Sequence, residues 1–302
     1  MPIDAPSSTW FTTAPDWGWL IVLYLFFGSL AGGTYFIAAL IDLGGRREDR
    51  PLARLGYLAA IPLLLVSGAL LLADLYRPDR FWHLFIENHT FRPMFKYWAP
   101  MSIGSWGVAV FGLFAGLSFL GALARQDGSP RRWTGRLRSP GVVGTMVTAF
   151  GAVLALYMAG YPGVLLSVTN RPVWADTPLL GMLFVISGVS LGAAFMLLLA
   201  WCFERTLPAV RSLDRMLPWL SLLEFIALVA VAVSLGAAIE AWLNGWGLLL
   251  VLGVVVLGML VPLMLHRRAG PLDVRALALV PLLVLGGGLV LRAVIVLSSE
   301  AI

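Results

Sequence analysis

Trp246-GLLLVLGVVVLGMLVPLML-His266 holds no Asp, Glu, Lys or Arg and ends against Arg267 and Arg268. A helix needs about 20 mainly apolar residues to cross the hydrocarbon of a bilayer, and this stretch has that length. Working outward, seven more segments meet the same requirement, giving eight expected spans near 17–43, 53–73, 100–124, 141–166, 178–203, 218–239, 246–266 and 276–298. Their apolar runs are continuous, whereas the strands of a membrane barrel alternate over about ten residues. The expected fold is an all-α polytopic membrane protein.

Composition agrees with that reading and narrows the chemistry. With 60% hydrophobic and 12% charged residues and a mean hydropathy of +0.89, the 302-residue chain is no soluble domain. Its net charge of +5 therefore sets topology and is not a nucleic-acid footprint. The single Cys202 cannot hold an iron–sulfur cluster, which takes about four thiolates. His83, His89 and His266 all lie away from the middle of an apolar run, so the expectation is no haem, no Fe–S centre and no metal in this chain. Met1 to Asp16 lacks a basic start and a small-residue cleavage site, so no removable signal peptide is expected.

Of 21 basic residues, 15 fall in one set of alternate loops (Arg46 to Arg54, Arg125 to Arg138, Arg205 to Arg215, Arg267 to Arg275), 5 in the other set, and Arg292 lies within the last span. Positive charge marks the cytoplasmic side, so both termini are expected outside the cytoplasm. The long connections from Asp74 to Ala99 and from Ser167 to Thr177 then share the outer face. The first is rich in aromatic residues and reads as a docking element, or as a lid over the helix ends. Gly28-Ser-Leu-Ala-Gly32 and Gly188-Val-Ser-Leu-Gly192 repeat a small-xxx-small pattern four helices apart. They suggest two four-helix bundles in parallel repeat, 17–166 and 178–298.

Ionisable residues within spans are costly and are functional candidates by default. Arg292 is placed in the outer part of its span, where it requires an anionic or carbonyl partner or else snorkels to the headgroups. Asp74 and Arg77 stand at the i,i+3 spacing of one helical face. Tyr24, Tyr157 and Tyr161 are expected near the outer ends of their helices, as ligand contacts or as aromatic-belt anchors. Depth places Tyr24, Asp74, Arg77, Tyr161 and Arg292 at one level, a set suited to the two carbonyls and the proton exchange of a quinone headgroup. On the inner half, Glu224 reads as a solvated interfacial carboxylate or one station of a proton path, with Asp42 near the same end.

These residues lie in motifs that resemble the NrfD/PsrC family of polysulfide-reductase-type membrane subunits. The motifs are Gly28-Ser-Leu-Ala-Gly-Gly33, Asp74-Leu-Tyr-Arg-Pro78 with Arg80-Phe-Trp82, Pro100-Met-Ser-Ile-Gly-Ser-Trp106, Tyr161-Pro-Gly-Val-Leu-Leu-Ser167 with Arg171-Pro-Val-Trp174, and Gly287-Gly-Leu-Val-Leu-Arg292. The resemblance extends over nearly the whole sequence. It implies a haem-free, eight-helix, quinone-interacting anchor in the cytoplasmic (inner) membrane of a bacterium or archaeon. It also implies a partner with four iron–sulfur clusters on the outer face and a molybdopterin-type catalytic subunit beyond. The family's quinone-site tyrosine carries over to Tyr161. Tyr24 stands where a histidine is usual, and Tyr76 where a glycine is usual.

The leading expectation is an electron-transfer subunit that binds menaquinone or ubiquinone near the outer face and exchanges electrons with the docked Fe–S subunit. Asp74, Tyr161 and Arg292 are assigned to the chemistry, and Tyr24, Arg77, Tyr157, Tyr161 and Arg292 to binding. A passive anchor and a proton or solute transporter are the alternatives.

Overall fold

In a computed structural model, which describes residues 17–75, 77–123, 141–169, 171–203, 208–268 and 274–300, each expected span is a helix: α1 (Trp19–Gly44), α2 (Arg50–Asp74), α3 (Pro100–Leu123), α4 (Val142–Ser167), α5 (Leu180–Phe203), α6 (Pro208–Ser234), α7 and α8 (Val274–Glu300). The seventh is composite, with α-helical turns at Gly245–Leu249 and Val261–Arg268 around a π-helical stretch, Leu250–Leu260. All eight are long and apolar enough to cross a membrane, and the chain is a multi-pass membrane protein. Arg125 to Arg138 and Arg205, which weigh in the topology argument, lie outside the described residues.

Helix ends follow local chemistry where the apolar pattern misjudges them. Helix α2 starts three residues before the expected Ala53 because Pro51 fits the first helical turn. Helix α6 starts ten residues before the expected Pro218. Val210, Leu213 and Leu217 recur at helical spacing and are buried, so packing carries the helix through Pro218 despite the lost backbone bond. At its other end, Gly236 takes a positive φ of 55° and stops α6 before the expected Ile239. A 3-10 turn, Gly236–Trp242, follows.

Helix α1 packs against α2, α4, α5 and α8. Its approach to α5 is set by glycine: a methyl group on Gly33 would overlap the Gly188 carbonyl, and one on Gly192 would overlap the Gly33 backbone. Gly32 faces Ala155 of α4, while the Gly188–Gly192 motif of α5 meets Ser29 and Gly33 of α1, where the two helix backbones come into direct contact. Gly258 of α7 and Gly287 of α8 do the same, where the π-helical turns run along α8.

Two apolar cores fill the protein. One includes Tyr35, Leu52, Phe111, Ala194 and Leu217 and lies toward the end of the bundle where α1 and α3 finish, called here the basic end. The other, including Tyr24, Trp174, Phe184, Val231 and Val294, lies toward the end where α2 and α4 finish, the aromatic end. Between them runs a layer of buried polar side chains, Ser29, Ser187, Ser190, Ser221, Glu224 and Arg292.

Candidate functional site

Tyr157 and Tyr161 are one helical turn apart on α4, and their rings stack with centroids 5.4 Å apart. Space for the rings comes from α3, where a side chain on Gly104 would strike Tyr161 and one on Gly107 would strike Tyr157. The Tyr161 hydroxyl donates to the Pro100 carbonyl at 2.8 Å, so its proton is already engaged. The Tyr157 oxygen is buried and has no hydrogen-bond partner among the described residues. An orphaned buried hydroxyl is uncommon and calls for an explanation.

Beside this pair opens a groove of about 490 Å³ between α3, α4 and α5, lined by Pro100, Ile103, Tyr157, Tyr161, Met182 and Val185 among others. The two phenols supply its only side-chain polar atoms, in an otherwise aliphatic lining. A cleft of several hundred Å³ with apolar walls and a few placed polar groups is the usual form of a small-molecule site. Tyr24 is buried and lies within electrostatic range of Tyr157 and Tyr161. Its carbonyl accepts from Ser67 Oγ at 3.1 Å, which fixes α1 against α2 at this level.

The other sequence candidates are elsewhere. Asp74, half-buried, ends α2, and Arg77 is exposed at the start of the 3-10 turn Pro78–Leu84; neither lines the groove. Arg292 is 0% exposed, which overturns the snorkelling alternative. It donates to the carbonyls of Gly288 (2.8 Å) and Leu25 (3.3 Å) and to Ser187 Oγ (3.2 Å), and its guanidinium lies 5.2 Å from the centre of the Phe184 ring. These bonds and the facing Glu224 carboxylate hold the guanidinium inside the bundle, with Nη2 left without a hydrogen-bond partner among the described residues. Glu224 is likewise buried, at 5% exposure, and not solvated at an interface. It faces Ser187, Ser190 and Arg292. A polar layer shared by α5, α6 and α8 was not legible in the separate helices, because pairing across the bundle is a tertiary fact.

The two loops at the aromatic end differ. The first is ordered by a bridge between Ile86 and Pro93, by Trp106 Nε1 donating to the Met94 carbonyl at 3.0 Å, and by a left-handed turn at Phe91, φ 53°. It leaves Phe81, Phe91, Phe95, Tyr97 and Trp98 exposed. The second is packed against the helices of the bundle. Arg171 to Trp174 are buried, Trp174 stacks on Trp17 at 5.1 Å, and its Nε1 donates to the Ile295 carbonyl at 2.7 Å. Ser299 Oγ donates to the Pro172 carbonyl at 2.8 Å.

Comparison with known proteins places this arrangement in a lineage. The sequence is 28% identical over 278 residues to Protein NrfD of Escherichia coli (strain K12), an alignment that takes in 82% of this protein and 83% of that one. It is 29% identical over 194 residues to a polysulfide reductase chain of Wolinella succinogenes, with 62% and 59% aligned respectively. With a selenate reductase subunit of Mesobacillus selenatarsenatis it shares 26% identity over 100 residues, which is 33% of this protein and 21% of that one. The family described as Polysulphide reductase, NrfD matches residues 12–302, so the two glycine motifs, the tyrosine groove and the buried arginine are all features of a chain that belongs to the NrfD family.

Proposed function

We propose that this protein is the membrane-anchor, quinone-binding electron-transfer subunit of a respiratory oxidoreductase. The observation that carries the reading is the orphaned Tyr157 hydroxyl beside an apolar groove of about 490 Å³. A quinone headgroup has carbonyl acceptors and an isoprenoid tail, and the groove offers a phenol donor and aliphatic walls that suit both. Tyr157 holds the headgroup by donating to a carbonyl, Tyr161 supports the Tyr157 ring, and Tyr24 completes the polar wall behind them. When bound, menaquinone or ubiquinone supplies two-electron, two-proton chemistry.

Two of the named relatives are parts of reductases, which supports a multi-subunit complex. The exposed aromatic residues from Phe81 to Trp98 suit the core of a protein interface. They would receive a four-cluster, ferredoxin-like iron–sulfur subunit, with a molybdopterin-type catalytic subunit beyond it. Asp74 and Arg77, at the base of this loop, serve proton exchange and docking. Arg292 acts at a distance, by fixing α8 to α1 and α5. The basic-residue bias puts the aromatic end outside the cytoplasmic membrane of a bacterium or archaeon. The ring of neighbours α1–α2–α3–α4 and its counterpart α5–α6–α7–α8 support two four-helix repeats.

The test is to extract and quantify quinone from the purified complex, with and without Met182→Trp, which fills the groove from an exposed position. Bound quinone that the substitution displaces is the expected result. Quinone absent from the parent complex would favour the passive anchor, and quinone unaffected by Met182→Trp would move the site.

A further inference from the structure

Helix α6 carries Asp214, Pro218, Ser221 and Glu224 at spacings of four, three and three residues, which places all four along one face. At the basic end of that face, Asp214 Oδ1 pairs with His266 Nδ1 of α7 at 3.2 Å, with the two side chains 28% and 26% exposed. This pair therefore touches solvent. Above it lies a crevice of about 10 Å³ lined by Pro218, Ser221, Pro262 and His266, large enough for about one water. Pro218 has no N–H, so the Asp214 carbonyl lacks its usual helical donor. Ser221 is buried and polar, and one turn beyond it is Glu224. Toward the aromatic end the same helix presents Ala227, Leu228 and Val231, all buried and apolar. The polar line thus opens to one end of the bundle and closes toward the other.

We propose that Glu224 is a proton-loading site served from the basic end by the Asp214–His266 pair and the Ser221 crevice. A proton from bulk water binds the His266 imidazole. It then leaves the ring nitrogen for the crevice water, and that water passes a proton past Ser221 to a Glu224 carboxylate oxygen. Loading breaks one O–H bond of a hydronium ion and forms one N–H bond on the ring; delivery breaks that N–H bond and forms one O–H bond on Glu224, and no electrons change hands. The groups facing Glu224 are Arg292 from α8 and Ser187 and Ser190 from α5; the charged group facing His266 is Asp214. Protonation leaves Arg292 with its charge uncompensated in the buried layer, which drives the proton back out, so the site both loads and unloads. An ionisable residue buried in a membrane bundle is a functional candidate by default. The proposal goes beyond the quinone reading and does not depend on what occupies the groove.

The experiment is an infrared pH titration and deuterium exchange of the full-length protein in lipid nanodiscs without quinone, so a wrong quinone assignment leaves it unaffected. A carboxylic acid C=O band should grow as pH falls and be missing in Glu224→Gln. Ser221→Leu, which fills the crevice, should slow exchange of that band about tenfold or more, each factor of ten being about 1.4 kcal/mol of barrier. Ser221→Thr, which keeps the hydroxyl, should exchange at the parent rate. If Ser221→Leu does not fold, His266→Phe closes the mouth instead and should slow exchange similarly. The proposal is overturned if no band titrates with Glu224, or if exchange is as fast with the crevice or its mouth blocked as in the parent.

Discussion

Tyr161 donates its hydroxyl proton to the Pro100 carbonyl at 2.8 Å, tying the middle of one turn of α4 to the first residue of α3. The neighbouring Tyr157 hydroxyl has no such bond. The two phenols are chemically alike and differently employed, so their removal should have different effects. Tyr157→Phe should lower quinone affinity about 5- to 150-fold, the equivalent of roughly 1–3 kcal/mol for an acceptor left unpaired, with thermal stability unchanged. Tyr161→Phe should destabilise the protein by about 0.5–1.5 kcal/mol and affect binding less. Quinone titration and thermal unfolding of both variants separate the two roles.

A Cβ on Gly33 would overlap the Gly188 carbonyl, and one on Gly188 would strike the Ala159 side chain. Gly33→Ala or Gly188→Ala should lower the unfolding temperature in detergent, by overpacking of about 1–3 kcal/mol. Gly68→Ala, on the adjoining α2 with open space around it, should be neutral or slightly stabilising, since alanine is the better helix former. Equal loss in both would mean the crossing is not close-packed.

The exposed ring of aromatics offers a third check. Trp98→Ser, or charge reversal at Arg92 or Lys96, should weaken attachment of the proposed iron–sulfur subunit, measured by its recovery with the tagged membrane protein. The tyrosine groove should remain intact. Full recovery with every such variant would remove the loop from the interface.

Topology is open to a simple assay. A reporter enzyme active only outside the cytoplasm should be active when fused after Ile302 and inactive when inserted between Arg131 and Arg138. The reverse pattern would turn the protein over and place the tyrosine groove on the cytoplasmic side.

The spans were legible because burial in lipid demands long apolar runs, and such runs are local. Depth along a helix follows from counting residues, and it set Tyr24, Asp74, Arg77, Tyr161 and Arg292 at one level; of these, Tyr24 and Tyr161 lie within electrostatic range of each other, with Tyr157 stacked beside Tyr161. Rotation about the helix axis does not follow so simply. It is what separates Arg292, turned toward Ser187 and Leu25, from a groove at a similar depth. Gly104 and Gly107 could have been found, because two glycines three apart on α3 are the complement of two tyrosines four apart on α4. The inward turn of Arg171 to Trp174 could not, because its partners Ile295 and Ser299 are more than a hundred residues away in sequence.

The meeting of Gly33 with Gly188 also sets a timetable for the nascent polypeptide. About 155 positions separate them, so at a ribosomal pace of roughly 5–20 residues per second the partner for α1 arrives about 8–30 s later. Throughout that interval the bare backbone ridge of α1 has only lipid or an insertion factor to cover it. The first half of the protein is therefore synthesised with an open seam that only the second half can close.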